Sequence, residues 1–294
     1  MDVAQKLRII VIVLLSCLVL WTPAIRAQVA DHNDPSMHDG AESPEALDAT
    51  QGPARTWTFL IAPYGWLAGT GGTVVIDGRE TEIDASFSDL AARTRGGFQL
   101  YFEARHNKWF VAFDGTWATL GEEIEGLIST TDVEVEQRIY DIRAGYEAFW
   151  KYLGDSPSDS GVDWRRRAIV DVYVGGRYFR TAPKVIIHGP VGDPLELSGA
   201  DSRVDPFIGM RAGWDMSYRW GMGFKGDIGG FGVGDAAEVS WQAAVEIGYR
   251  VSKRVVILGG YRWLDFDTIT GVGDDRNGEN LLQHGPIIGA GIGF

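Results

Sequence analysis

Few side chains in this sequence are suited to acid–base or nucleophilic chemistry. Three histidines follow residue 54, and one of them, His106, lies in a predicted tight turn. A hydrolytic site would have to combine His188 or His284 with Ser198, Ser202 or a loop aspartate, because a hydroxyl nucleophile needs an adjacent base. Isolated loop histidines are usually solvated. The sequence therefore predicts no catalytic residue.

Metal and cofactor chemistry find equally little support. The single cysteine, Cys17, lies in an N-terminal apolar run, so the chain after that run has no thiolate ligand or nucleophile. Residues 274–279 carry calcium-ligand residue types without the spacing of a calcium loop. The glycines alternate along predicted strands instead of joining a strand to a helix as a phosphate-binding loop. We expect no metal site and no cofactor.

The sequence does carry charged residues at every second position of otherwise apolar segments. Acidic and basic side chains occur there in comparable number, so charges on neighbouring strands can pair across an enclosed space. Pairing is required because a charge in a confined interior is costly unless it is matched. We predict a charge network in the lumen of a barrel, formed by Glu103, Arg105, Asp114, Asp141, Arg143, Glu147, Asp171, Arg177, Asp205, Arg211, Asp215, Lys225, Asp227, Glu246, Arg250 and Arg262.

Two interpretations of this network remain open. In the structural one, the paired charges fill the barrel as a plug. In the functional one, they line a narrow conduit and select small solutes by charge. A barrel of about ten strands leaves little room once long side chains meet, which favours the plug.

The segments that would position these charges alternate with a period of two, as strands between two different environments do. About ten such strands are predicted, although eight or twelve are possible. The segment 255–267 alternates less cleanly, and a β-bulge near Leu264 would explain this. The predicted strands are residues 57–67, 98–105, 109–117, 140–150, 168–178, 205–218, 222–228, 241–250, 255–267 and 288–294.

Short and long connections alternate along the chain, as the inner turns and outer loops of an up-and-down barrel do. Residues 69–95, 121–131, 181–201 and 271–280 are the predicted long connections. The first contains a hairpin signal around Asp77-Gly78 and then a helical turn capped by Ser86. This piece either prolongs the wall above the membrane or folds into the barrel mouth through residues 86–90.

The N-terminal region predicts export. Residues 1–27 have the basic start, apolar run and small final residue of a cleaved signal peptide, and residues 28–54 form an acidic, flexible periplasmic tail before the barrel at 55–294. Removing the signal, with its three basic residues and one acidic residue, changes the formal charge from −13 to −15. Nucleic acid is therefore not an expected partner.

Aromatic residues concentrate near the ends of the predicted strands. Trp109 and Trp117 flank one strand, and Trp241 and Tyr249 flank another. Two aromatic girdles at the membrane interfaces produce this order, whereas the compact core of a soluble β protein does not require it. A transmembrane barrel is thus favoured over a soluble periplasmic β-barrel that binds ligands.

The chain resembles the bacterial outer-membrane β-barrel proteins in its export signal, its alternating strands and its closing residues Gly-Pro-Ile-Ile-Gly-Ala-Gly-Ile-Gly-Phe. Residues 62–66, 86–90 and 260–267 also resemble segments of an uncharacterised family of that class. This resemblance implies the fold and the Gram-negative outer membrane, with no established activity. It further implies that Phe294, preceded by Ile292 on the same face, is the signal read by the barrel-assembly machinery.

The functional expectation is an integral outer-membrane barrel that is monomeric, contacts membrane lipid and lipopolysaccharide, and has no enzymatic activity. It would act as a structural protein or as a narrow channel for small solutes. An outer-leaflet enzyme that hydrolyses lipids or peptides is the alternative, because some barrels of this size carry such activities.

Overall fold

The computed structural model describes residues 57–125, 130–153, 166–188 and 193–294. The predicted signal peptide and periplasmic tail lie outside these residues. The described part folds into thirteen β-strands, one α-helix and one short 3₁₀ turn, which spans Gly273–Asp275. No helix among these residues is long and apolar enough to cross a membrane.

Ten strands form one closed antiparallel barrel, in which each strand pairs with the next along the ring. They are β1 (Thr58–Trp66), β4 (Thr94–His106), β5 (Trp109–Glu125), β6 (Thr130–Tyr152), β7 (Arg167–His188), β9 (Asp201–Asp215), β10 (Trp220–Gly230), β11 (Val239–Arg250), β12 (Val255–Asp267) and β13 (Gly278–Gly293). The other three strands lie at one end of the barrel: β2 (Gly69–Ile76), β3 (Arg79–Ala85) and β8 (Leu195–Ser198).

The ring closes where β1 meets β13. Leu60 lies opposite Gly293, and the pairing continues to Trp66 opposite Ile287. Below it, the Phe59 N–H donates to the Phe294 carbonyl at 2.8 Å and the Phe294 N–H donates to the Phe59 carbonyl at 3.0 Å. The predicted antiparallel barrel is confirmed, with ten strands in the closed ring rather than eight or twelve.

Side chains alternate between the two faces of the wall in the predicted sense. Ile288, Ile292 and Phe294 point outward and are 62%, 50% and 59% exposed, while Gly291 and Gly293 between them are buried. The charged residues of the other strands point inward. An apolar exterior around a polar interior is the polarity of an outer-membrane barrel and the reverse of a soluble one.

Large aromatic side chains fit into the interior because glycines lie opposite them. Phe110 pairs with Gly145 on the next strand, and Gly145 in turn pairs with Tyr173. A Cβ atom on Gly145 would lie 2.3 Å from the Phe110 ring and 2.7 Å from the Val172 carbonyl oxygen. Gly145 is therefore required by the packing of these rings.

Replacing Gly145 by alanine is expected to destabilise the barrel by about 1–3 kcal/mol, the usual cost of overpacking a closed interior. Unfolding in urea measures this change. The folded fraction is monitored by heat-modifiable gel migration. The matched control is Gly65→Ala, where the added Cβ would have no atom within 4 Å. Equal stability of both variants would contradict the proposed close packing.

The β-bulge predicted near Leu264 is wrong. The pairing of β12 with β11 and with β13 runs through Leu264 without a register shift. The alternation is weak there because β12 is apolar on both faces: Val256, Leu258 and Leu264 point inward and are at most 1% exposed. Register shifts occur instead between Thr94 and Gly96 and between Glu147 and Phe149.

The connections differ at the two ends of the barrel. Residues 107–108, 216–219 and 251–254 are tight turns at one end, which also holds Thr58 and Phe294. At the other end, the connections predicted at 121–131 and 181–201 are shorter than expected, because β5 continues to Glu125 and β7 to His188. The backbone ladder therefore extends the wall well beyond one aromatic girdle.

The predicted hairpin and helical turn are confirmed. β2 continues the line of β1 along β13, from Gly69 opposite His284 to Val75 opposite Gly278, so the hairpin prolongs the wall. The helix α1 (Phe87–Arg93) follows, and Ser86 caps it through a reciprocal capping box with Asp89. These hydrogen bonds lower the pKa of the Asp89 carboxyl. Leu90 of α1 packs onto the inward-facing Leu120 at the barrel mouth.

A charge network inside the barrel as the candidate functional site

All sixteen charged residues of the predicted network point into the barrel and are at most 8% exposed. Arg167, which the sequence analysis did not include, joins them at 5%. The buried charges of the described residues thus comprise eight cations and nine carboxylates. Near balance of opposite charges reduces the cost of removing them from water.

The strands bring these charges together through their period of two. Glu103 and Arg105 lie two residues apart on β4, and Asp141 and Arg143 do so on β6. Residues at positions i and i+2 of a strand point to the same face. Each strand therefore contributes adjacent inward charges, and the closed ring places them against those of the other strands.

A lower cluster lies toward the tight-turn end and consists of Glu103, Arg105, Asp171 and Arg211. Arg211 Nη1 lies 2.7 Å from Glu103 Oε2, and Arg211 Nε lies 2.8 Å from Asp171 Oδ2. Arg105 Nη2 reaches the same two carboxylates at 3.2 and 3.0 Å. Both guanidinium groups also lie over the Phe110 ring, at 4.5 and 4.2 Å from its centroid.

A central cluster crosses the middle of the barrel and consists of Asp114, Asp141, Arg143, Arg177 and Asp227. Arg177 donates from Nε to Asp141 at 3.0 Å and from Nη2 to Asp227 at 3.0 Å. Arg143 Nη2 lies 3.3 Å from Asp114 and 3.5 Å from Asp141. Each of these five side chains is at most 8% exposed, and Arg177 is completely buried.

Tyrosine hydroxyls bind the carboxylates of both clusters. Tyr64 donates to Asp114 at 2.9 Å, Tyr101 to Glu103 at 2.5 Å, and Tyr173 to Asp227 at 3.3 Å. These three tyrosines are not among the residues predicted for the network. Tyr101 and Tyr173 lie two residues from charged residues on the same strands, so they point to the same face. This spacing was the sequence signal that could have identified them.

Near the mouth, Arg203 forms a further group that lies outside the predicted network. Its guanidinium lies over the rings of Phe179 and Phe266, at 4.3 and 4.8 Å from their centroids. It contacts Asp205 at 3.5 Å and Glu279 at 3.7 Å.

Arg262 has a different environment from the other buried arginines. Its side chain is completely buried, and none of its three guanidinium nitrogens hydrogen-bonds to the described part of the chain. It lies over the ring of Trp66 at 5.0 Å, so a cation–π contact holds it.

The histidines considered for catalysis lie far apart in the ring. His188 ends β7, with Nε2 3.7 Å from Asp132 Oδ2, and His284 on β13 contacts the Tyr261 hydroxyl through Nδ1 at 2.6 Å. Within the described ranges, neither one hydrogen-bonds Ser198 or Ser202. The same ranges contain no group of three or more His, Cys, Asp or Glu side chains able to hold a metal ion.

No family model matches the sequence, and no curated protein matches it. Among solved structures, the barrel is similar to the outer-membrane protease OmpT of Escherichia coli, with 9% identity, a TM-score of 0.44, and coverage of 82% of this chain and 97% of that one. It is also similar to Neisserial surface protein A, with 14% identity, a TM-score of 0.29, and coverage of 80% and 96%. A third similar structure is the attachment invasion locus protein Ail of Yersinia pestis, with 13% identity, a TM-score of 0.31, and coverage of 81% of this chain and 98% of that one.

These proteins are all bacterial outer-membrane barrels, but their likeness to this chain is too low to carry over any activity. The fold assignment depends on the strand pairing and the polarity described above. Ten antiparallel strands in a closed ring, with charges inside and hydrophobic residues outside, give this chain the fold of the bacterial outer-membrane β-barrels.

Proposed function

We propose that this chain is a monomeric, integral outer-membrane protein of a Gram-negative bacterium, exported by a cleaved signal peptide, with a structural role and a closed lumen. It contacts membrane lipid and lipopolysaccharide and has no enzymatic activity. The carrying observation is the central cluster, in which fully buried Arg143 and Arg177 join carboxylates from three other positions across the barrel.

The height of the outer surface supports insertion into a bilayer. Trp109 and Trp117 point outward on β5, eight residues apart and 65% and 38% exposed. Eight residues of strand span about 27 Å, which at a tilt of about 40° covers about 21 Å of bilayer. That distance agrees with an apolar band about 25 Å tall between two aromatic girdles.

The filled interior supports a closed lumen. At the level of the central cluster the ring is occupied by guanidinium, carboxylate and aromatic groups that leave Arg177 and Asp141 no exposure to solvent. Above it, inward apolar residues such as Leu120, Val133 and Val135 pack at the mouth. A solute would have to break buried ion pairs to pass, and this is strongly unfavourable.

Fractionation and liposome swelling test this function together. The expressed protein should sediment with the outer membrane, resist extraction at high pH and show heat-modifiable gel migration. Liposomes that contain the inserted protein should swell in small sugars or amino acids no faster than empty liposomes. Recovery in the periplasmic fraction would contradict the membrane assignment, and rapid swelling would contradict the closed lumen.

The absence of enzymatic activity is a separate prediction. Lipid A and a mixed peptide library, incubated with folded parent protein, should remain intact at the rate of the boiled control. Turnover that His188→Ala or His284→Ala abolishes would contradict this part of the proposal. The two variants serve as controls for each other, because the two histidines lie on different sides of the ring.

A further inference from the structure

The barrel wall has a seam on one side of the closure. β1 and β4 pair from Thr58 opposite Arg105 up to Pro63 opposite Leu100, and no ladder pair continues beyond that point. One backbone group is covered by a side chain, since the Trp66 N–H donates to Gln99 Oε1 at 2.9 Å.

Above the seam the chain changes partners. β2 stays with β13, and β3 pairs with β2, so neither strand returns to β4. The helix α1 fills the space between them and is held to β5 by Arg93, whose Nε lies 3.0 Å from Glu122 Oε2. In lipid, an open sheet edge is excluded because its backbone groups find no water. The seam must therefore be covered by side chains or by a ligand.

A cavity of about 520 Å³ lies at this seam. Pro63, Leu67 and Phe98 line it from the outer face of the wall, and Trp66, Leu90 and Leu120 line it from within. None of the described residues that line it is charged, in contrast to the lumen beside it. Its volume is in the range of about 300–1,000 Å³ found for small-ligand sites.

The depth of the cavity in the membrane follows from the strand register. Phe98 is paired with Trp117, which belongs to the outer aromatic girdle, and is itself 58% exposed. The mouth of the cavity therefore opens where the acyl chains meet the headgroups. At its inner end lies Tyr64, whose hydroxyl is bound to Asp114 of the central cluster, so the cavity ends at the charge network.

We propose that this seam cavity binds one acyl chain of an outer-leaflet membrane lipid, which enters from the bilayer through the gap between β1 and β4. Its uncharged lining and its mouth at the edge of the hydrocarbon region match a hydrocarbon chain. The lipid covers the unpaired strand edges, and its chain stops at Tyr64 instead of crossing the barrel.

Photolabelling in vesicles of phosphatidylcholine that carries a diazirine on one acyl chain tests this site. Full-length protein is inserted, irradiated and mapped by mass spectrometry. We expect labels on Leu90 and Leu120, which face the interior, as well as on Val172, which faces the bilayer. Labels confined to outward-facing residues of the parent protein would overturn the proposal.

Two variants of α1 refine the test. Ala91 lines the cavity and Ala92 does not, although both are exposed on the same helix. Ala91→Phe should reduce labelling of Leu90 and Leu120 at least tenfold relative to Val172, and Ala92→Phe should leave the ratio unchanged. Equal effects of both variants would overturn the site. Labelling of Leu90 by a diazirine fatty acid, but not by the phospholipid, would overturn the membrane lipid as its source.

Discussion

Replacing Arg177 by alanine is expected to destabilise the folded barrel by about 3–5 kcal/mol, the usual loss when one partner of a buried ion pair is removed. Arg177 is completely buried and binds Asp141 and Asp227, which lie on strands to either side of it. Without the guanidinium, two carboxylates remain in the interior, and Asp141 keeps the longer contact with Arg143, at 3.5 Å.

Urea-induced unfolding in phospholipid vesicles measures this loss, with the folded fraction read from heat-modifiable migration. The matched control is Arg138→Ala, because Arg138 lies on the outer face of β6 with a 42% exposed side chain and pairs with Glu136 at 2.7 Å. Exposed pairs contribute about 0–1 kcal/mol. Equal stability of the two variants would show that the buried pairs do not hold the interior together.

Deletion of Phe294 is expected to leave export intact and to impair barrel formation. The deletion removes both backbone hydrogen bonds with Phe59 and the ring contact between them, whose centroids are 5.7 Å apart. Together these are worth about 2–4 kcal/mol at the closing seam. The signal proposed for the assembly machinery would be lost with them. The amount of folded barrel should therefore decrease more than the loss of stability alone predicts.

The folded fraction in the outer membrane and the amount of periplasmic protein are measured in the same cells. Phe294→Tyr is the control, since it keeps the backbone pairing and an aromatic ring. It should insert like the parent chain, while the deletion variant accumulates in the periplasm or is degraded. Normal insertion of the deletion variant would contradict the role proposed for Phe294.

The strand pattern was predictable because a barrel between lipid and a polar interior forces strict alternation. Charged residues such as Asp141 and Arg177 lie on the parity opposite to Ile142 and Tyr178, and a closed wall allows only two directions for them. The capped helix at Ser86 was predictable for a similar reason, since a capping box is a local interaction.

The ion-pair partners were not predictable from sequence. Arg177 reaches Asp227 two strands away in the ring, across β9, and this depends on the barrel radius and side-chain length together. The alternation of polar and apolar residues also gives no guide to a strand that is apolar on both faces. In β12 the inward Leu258 and Leu264 contact the rest of the core, so the sequence suggested a bulge where the strand is regular.

The seam between β1 and β4 was not predictable from the sequence for another reason. Residues 57–67 read as an ordinary strand, and nothing in their pattern shows that pairing with β4 stops at Pro63 while pairing with β13 continues. Such a divergence is a property of the whole ring. Beyond Pro63, β2 and β3 continue the wall in place of β1 and β4, because β2 pairs with β13 and β3 pairs with β2.

Single-channel recording in a planar lipid bilayer tests the closed lumen most directly. The parent protein is reconstituted at one copy or a few per membrane, with insertion verified by heat-modifiable migration of the same preparation. Because buried ion pairs fill the barrel at the level of Arg177 and Arg143, no steps above the baseline of the empty membrane are expected at moderate voltage. Steady, charge-selective conductance steps that disappear on substitution of lumen residues would contradict it.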